Sequence, residues 1–295
     1  MVRDVKQINM NADVVRDFGS EWSRFDQSSL SATDQAEMFE SYFHIFPWDS
    51  LPPGVVGADI GCGSGRWASL VAPRVGHLCL VDPSGEALAV ARQNLSNAAN
   101  VSFHHTSVDD LPFEGGSLDF AYSLGVLHHV PDTAEAIHSI AHVLKPGAPF
   151  LIYLYYAFDQ RPWWFRALWR ASDMLRKVIS RMPVRLKSFV CEGIALLVYL
   201  PLARAALLLE RFWILPDPWP LAYYRHREYY VMRTDALDRF GTRLEQRFSR
   251  HEIKALLESA GFTDVRFSDT QPFWCAVGIK RVWSEADPSS GSGLH

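Results

Sequence analysis

One short run constrains this chain more than any other feature. A hydrophobic stretch meets an acid and turns at once through three glycines spaced by two, in Val56-Gly57-Ala58-Asp59-Ile60-Gly61-Cys62-Gly63-Ser64-Gly65. A strand that turns into a helix over so few residues, with its backbone against a ligand, needs positions without a Cβ. The dinucleotide fingerprint would place its third glycine at 66, where Arg66 stands, and no Gly-Lys-Ser/Thr follows as a P-loop requires. The next hydrophobic run ends at Asp82, whose carboxylate can accept hydrogen bonds from both hydroxyls of a ribose. These residues predict an adenosine-containing ligand. Packing alone for the glycines, and a turn cap for Asp82, are the plainer alternatives.

Around that run, hydrophobic segments alternate with helical patterns, the signature of βαβ units and a parallel sheet. Strands are expected at Val55–Asp59, His77–Asp82, Val101–His105, Leu118–Ser123 and Pro149–Tyr155, with two more at Asp264–Phe267 and Phe273–Ile279. Helices are expected at Arg66–Ala72, Glu86–Asn97 and Ala134–Leu144, the last stopped by Lys145-Pro146-Gly147. Ser249-Arg250-His251-Glu252 reads as a capping box that opens a further helix. The division that follows is a helical N-terminal arm over 1–50, a core over 51–156, a helical insertion over 157–248, the rest of the core over 249–283, and a disordered tail over 284–295.

The insertion differs from the rest in charge. Arg161–Arg250 carries 17 Lys and Arg against 8 Asp and Glu, whereas the remainder carries 12 against 25. Arg166, Arg170, Asp173, Lys177 and Arg181 fall at helical spacing on one face, with Phe165, Leu168, Leu175, Ile179 and Met182 on another. Phe189–Leu215 is strongly apolar but holds Glu192, Pro201, Arg204 and Glu210, and its charge-free run Gly193–Ala203 is shorter than the roughly 20 residues a spanning helix needs. The segment is therefore expected to be a cap on the catalytic core, or else a surface lying in a membrane interface, and not a transmembrane span.

The glycine run and its companions resemble the class I S-adenosylmethionine-dependent methyltransferases of the small-molecule type, with their D-x-G-x-G-x-G loop. Ser107-Val108-Asp109-Asp110-Leu111-Pro112-Phe113, Gly116-Ser117-Leu118-Asp119-Phe120, Leu127-His128-His129-Val130 and Val143-Leu144-Lys145-Pro146-Gly147 follow in that family's order. The resemblance implies an α/β fold: a Rossmann-like doubly wound sheet, mostly parallel with an antiparallel last strand, here carrying a helical insertion. It also implies S-adenosyl-L-methionine held by Asp59, Gly61, Cys62, Gly63 and Gly65, by Asp82 and Pro83 at the ribose, by Ser107, Val108 and Asp109 at the adenine, and by Ser123 and Leu124. Ser107 stands where the family often has Asp, which puts the adenine contact in question between Ser107 and Asp109.

For the chemistry, His128 and His129 follow the fourth strand, where one could serve as general base near neutral pH, or simply pack. Tyr153, Tyr155 and Tyr156 are expected around the acceptor, with some of them in the core. In the arm, Trp22, Arg24 and Phe25 are expected to fold over the cofactor or into the core. The insertion leaves the chain at the carboxyl end of the fifth strand, so it should act as a lid over the acceptor, a small molecule with apolar and anionic parts, lipid-like in the extreme. Non-methylating use of the same pocket and a membrane-surface binding module on this scaffold are the alternatives. The four cysteines show no metal or disulfide spacing. Neither a metal nor a nucleic-acid partner is expected, oligomerisation stays open, and the expected location is cytoplasmic, with peripheral contact at the inner membrane surface as the variant.

Overall fold

Seven hydrophobic runs pair into one sheet in the order β3-β2-β1-β4-β5-β7-β6. They are β1 Val56–Ile60, β2 His77–Asp82, β3 Val101–His105, β4 Phe120–Leu124, β5 Pro149–Tyr153, β6 Phe262–Phe267 and β7 Cys275–Lys280. This computed structural model describes residues 9–24, 32–158, 161–214, 216 and 219–282, except the side chains of 20–24 and 32. The expected tail lies outside the described residues. The pairings among β1 to β5 are parallel, and β7 runs antiparallel to both β5 and β6. Strand order reverses between β1 and β4, so the crevice that α/β sheets use for ligands opens beyond the carboxyl ends of those two strands.

Period-two alternation gives the sheet two apolar faces. Ala58, Ile60, Val81, Phe150 and Ile152 point to one face, beneath α5 Thr133–Val143 and α10 Arg250–Ser259. Leu78, Leu80, Phe120, Tyr122 and Leu151 point to the other, against α3 Ala68–Val71 and α4 Gly85–Asn94. The arm forms two helices, α1 Ala12–Arg24 and α2 Ala32–Phe43, and α2 adds Phe39 and Phe43 to this second layer. The helix expected over Arg66–Ala72 is shorter, because Ala72–Arg74, with its proline, tightens into a 3-10 turn. β5 stops at Tyr153, so Tyr155 and Tyr156 lie beyond the strand.

The insertion forms α6 Trp163–Ile179, α7 Val184–Ile194, α8 Leu200–Arg211 and α9 Tyr229–Gly241. Its core is separate from the sheet's and holds Ile179, Cys191, Ala195, Tyr199, Met232 and Phe240 among others. One expectation about length needs correcting. α7 and α8 are joined by a π turn, Ala195–Tyr199, in which Leu200 N–H donates to Ala195 O, so Val184–Arg211 runs as one 28-residue helix. Pro201 lacks the N–H that would bond four residues back, and the wider turn before it carries the helix through rather than breaking it. By length and composition this helix is sufficient to cross a membrane, with a mean hydropathy of 1.7 in its most apolar window. The insertion's two ends meet at the core: Tyr156 bridges Phe248, Phe248 N–H donates to Tyr155 O at 2.8 Å and Ala157 N–H to Phe248 O at 3.0 Å.

Candidate functional site

The glycine run turns tightly at the end of β1. Gly61 N–H and Cys62 N–H both donate to Val81 O, at 2.7 and 3.1 Å, which folds the loop over the end of β2. Gly61 has φ +79°, and a Cβ there would stand 2.4 Å from Val126 Cγ1, so no larger residue fits. Asp82 secures the next turn, its carboxylate accepting from Gly63 N–H at 2.9 Å and from Ser84 N–H at 2.8 Å. Ser123 Oγ donates to Ile60 O at 2.8 Å and ties the end of β4 to the loop. The Pro83 carbonyl lies 3.0 Å from His105 Nε2.

Two buried carboxylates stand at this loop. Burial pushes Asp59 up to about 8, although Tyr122 OH donates to it at 3.0 Å and lowers it, and the nearby Asp82 raises it further. Burial also pushes Asp82 up to about 6 against its two backbone hydrogen bonds. Neither makes an ion pair among the described residues. At the end of β3, Val108 is buried and Asp109 Oδ1 is buried with no hydrogen-bond partner, while Asp109 Oδ2 accepts from Asn9 N–H in the arm. Ser64 Oγ in the loop is likewise without a partner. A ligand bearing a cationic amine, a diol and an exocyclic amino group fits this set, since Asp109 Oδ1 lacks a donor and the Asp59 and Asp82 carboxylates have lone pairs beyond the hydrogen bonds they already accept. Trp22 and Arg24 have side chains outside the described residues, as does Phe25.

Next to the loop, beyond the carboxyl ends of β4 and β5, lies a cavity of about 960 Å³ between the core and the insertion. Leu124, Tyr153, Tyr155 and Tyr156 line it from the core, and Trp169, Tyr223, Asp235 and Asp238 from the insertion. Arg66, whose guanidinium lies 4.2 Å from the Trp67 ring, also lines it, and its Nε is buried with no hydrogen-bond partner.

His128 and His129 are buried and do not line the cavity; Tyr155 and Asp238 do. Tyr155 stacks on His128 with ring centroids 3.8 Å apart, and its hydroxyl donates to Asp238 Oδ2. His129 Nε2 lies 3.8 Å from Asp238 Oδ1, and neither atom has a hydrogen-bond partner. His129 Nδ1 lies 2.6 Å from Leu244 O, which assigns the ring proton to Nδ1 and leaves the Nε2 lone pair facing the carboxylate. Burial lowers His129 to about 4 and His128 well below its ordinary value. Burial raises Asp238, and takes Asp235, to which Tyr224 OH donates at 2.8 Å, up to about 6.

Arg247 lines the cavity and braces this wall. Its guanidinium lies 5.1 Å from the Tyr155 ring and 5.2 Å from the Trp169 ring, and it donates to Glu245 at 2.8 Å and to Tyr156 O at 3.0 Å. Arg239 holds the same Glu245 with two bonds of 2.8 and 2.7 Å. Reading the sequence missed Asp235, Asp238 and Arg247. The available signal was two carboxylates three apart, hence on one helix face, within a segment of strong cationic excess.

Residues 58–152 match a family model described as a methyltransferase domain. The ubiquinone biosynthesis O-methyltransferase of Aromatoleum aromaticum is 30% identical over 149 residues, 48% of this chain and 62% of that protein. Phosphoethanolamine N-methyltransferase 2 of Caenorhabditis elegans is 35% identical over 106 residues, 35% of this chain and 24% of that protein. The chain thus spans less than two thirds of the length of these relatives. Among solved structures, the CurJ carbon methyltransferase superposes with a TM-score of 0.50 at 15% identity, over 87% of this chain and 57% of that one, a likeness of fold.

Proposed function

From the premise that the chain carries a class I S-adenosylmethionine-dependent methyltransferase domain, we propose that it methylates a hydroxyl of a bulky, largely apolar acceptor seated in the cavity beneath the insertion. The observation that carries this reading is the carboxylate of Asp238, with one oxygen unpartnered, in the wall of an aromatic cavity that adjoins the glycine loop. When bound, S-adenosylmethionine supplies an electrophilic methyl group on a sulfonium. Asp59, the loop from Gly61 to Gly65, Asp82 and Asp109 are the residues that would hold it, by the donor and acceptor matching set out above.

The remaining work falls to the chain's own side chains. An alcohol or phenol must lose a proton as it attacks, whereas a neutral amine already carries its lone pair. The Asp238 carboxylate is the acceptor for that proton, and its raised pKa brings it nearer the pKa of a phenol. His129 Nε2 stands behind it as a second acceptor, and Tyr155 fixes the carboxylate's orientation through Oδ2. Tyr153, Trp169 and Tyr223 offer flat apolar walls, and Arg66 offers a cation for an anionic group. Alignment in such a site supplies roughly 7–11 kcal/mol of the barrier in favourable models. The relatives named O-methyltransferases support the choice of a hydroxyl, and the size of the cavity supports a bulky acceptor.

The test is a panel of phenolic and amine amphiphiles incubated with labelled S-adenosylmethionine, reading S-adenosylhomocysteine and methylated product. Methylation of phenols that is lost in Asp238→Asn, with cofactor affinity retained, is the expected result. Methylation of amines alone, undiminished in that variant, would overturn the hydroxyl assignment.

A further inference from the structure

Sixteen of the seventeen large hydrophobic side chains left exposed on the described surface belong to the insertion, between Trp163 and Ile214. Phe189 is 77% exposed, Leu197 75% and Trp213 95%. Apolar side chains scattered singly over a protein surface need no explanation, but a concentration on one set of adjoining helices marks a contact surface.

The charges on the same helices are predominantly basic. Residues 161–214 contain ten Lys and Arg against three acids. Each of the three acids is half-buried and engaged: Asp173 with Arg176 and Lys177, Glu192 with Arg233, and Glu210 with Arg225 and His226. Arg166, Arg170, Arg181, Arg185 and Arg211 are exposed and form no ion pair among the described residues. Around the axis of α6, at 100° per residue, Trp163, Met174, Val178, Trp164, Leu175 and Leu168 fill one continuous exposed arc. Arg166, Arg170 and Lys177 form a stripe along one edge of that arc. An apolar arc bearing tryptophan and bordered by arginine is the pattern of a helix lying in the headgroup region of an anionic bilayer.

We propose that the outer face of α6, α7 and α8 docks on an anionic lipid bilayer, with the exposed apolar side chains inserted and the unpaired arginines against lipid phosphates. The 28-residue helix lies along the surface and does not cross it. Its inner side is committed to protein: Cys191, Ala195, Tyr199 and Ala203 pack against Met232 and Leu237 of α9. Lys187 is buried in an ion pair with Asp17 of α1, and Glu192 pairs with Arg233 of α9. Spanning would carry those charges and the cavity-lining Asp235 and Asp238 into hydrocarbon or strip them from the helix, and buried charges tolerate neither. Leu168, Leu175 and Val198 belong both to the cavity wall and to the exposed apolar set, so the docking face and the cavity share residues.

The proposal stands apart from the methyl-transfer reading, because the variants that test it leave the cavity wall untouched. The full chain is floated with vesicles of phosphatidylcholine alone and with vesicles containing phosphatidylglycerol, at low and high salt, beside two variants. One carries Phe189→Asp, Leu197→Asp and Trp213→Asp, and the other Arg166→Glu, Arg170→Glu and Arg181→Glu. The native chain is expected to float with anionic vesicles at low salt, to bind them at least tenfold more weakly in either variant, and to be released as salt screens the arginines. Thermal melting and S-adenosylmethionine affinity should not change. Three outcomes would overturn the proposal: no flotation with anionic vesicles, flotation that neither variant weakens, or vesicle-bound protein that resists an alkaline carbonate wash, as a spanning helix does. A native dimer that the aspartate variant makes monomeric, without vesicle binding, would assign the face to a second copy of this chain.

Discussion

Tyr155 and Asp238, 83 residues apart in sequence, are joined by a hydrogen bond from the phenol to the carboxylate across the boundary between core and insertion. Tyr155 follows the last parallel strand, and Asp238 lies on α9 of the insertion. Neither half alone contains the pair, so this wall of the cavity exists only when the insertion is docked.

Replacing that carboxylate should separate chemistry from binding. Asp238→Asn keeps the size and a hydrogen-bond partner for Tyr155 but loses the proton acceptor, and turnover is expected to fall about 10²–10⁴-fold. S-adenosylmethionine affinity, read by calorimetry, should stay within the native range. Tyr155→Phe, which leaves the carboxylate in place but less well oriented, should cost less than Asp238→Asn, and equal losses would show that orientation is the whole effect.

The pH dependence of turnover should follow the same group. Burial raises Asp238, and the base is the ionised form, so kcat should rise with pH through a limb lying above the usual carboxylate range. The limb should vanish from the residual activity of Asp238→Asn. A limb that persists there would belong to another group.

In the glycine loop, Gly63 has φ +53° and gives its N–H to Asp82. Gly63→Val should weaken S-adenosylmethionine binding by tenfold or more, since the branched side chain disfavours that backbone conformation and fills the ligand's approach. Asp82→Ala should weaken it comparably by leaving the ribose hydroxyls and the loop amides without their acceptor. Native affinity in folded variants would remove the loop from the site.

Asp59 makes stability depend on pH in an unusual direction. Its folded pKa, about 8, lies above the unfolded value, so its contribution is fully present below the ordinary aspartate range and is lost as pH rises through 8. Between pH 6 and 8.5 the ligand-free native chain should therefore lose more melting temperature than Asp59→Asn does. Parallel melting curves for the two across that window would show that Asp59 is already ionised in the ligand-free chain.

A buried ion pair joins the first helix of the arm to the insertion. Lys187 and Asp17 lie 2.9 Å apart, both nearly inaccessible, and Lys187 also donates to Gly241 O at 3.1 Å. Asp17→Ala strands the ammonium and should cost about 3–5 kcal/mol in chemical denaturation. Adding Lys187→Met should recover much of that loss.

The strands and the glycine loop were legible because their signals are local. Each rests on alternation within five or six residues, and β2 and β3 fall on the residues the sequence predicts. The edges of β4 and β5 shifted because Leu118 and Tyr155 continue the apolar alternation outside the ladder, Leu118 before it begins and Tyr155 after it ends. Asp238 was opaque for the opposite reason: what distinguishes it from any other aspartate on an amphipathic helix is a tyrosine and a histidine more than eighty residues away. The continuity of α7 and α8 was hidden by Pro201, which reads as a helix breaker unless the π turn preceding it is known. The charge asymmetry was visible, but whether its apolar face is covered depends on tertiary packing.

The insertion enters and leaves the core at one place, where Tyr156 meets Phe248. A detour whose endpoints coincide puts no constraint on the register of the strands on either side, because the two ends stay together whatever length of chain lies between them. Residues 157–247 can therefore be exchanged for a graft of different length without resetting the sheet. The sheet with its glycine loop and the helices of the insertion are thus free to change at different rates, coupled through contacts such as Tyr155 with Asp238.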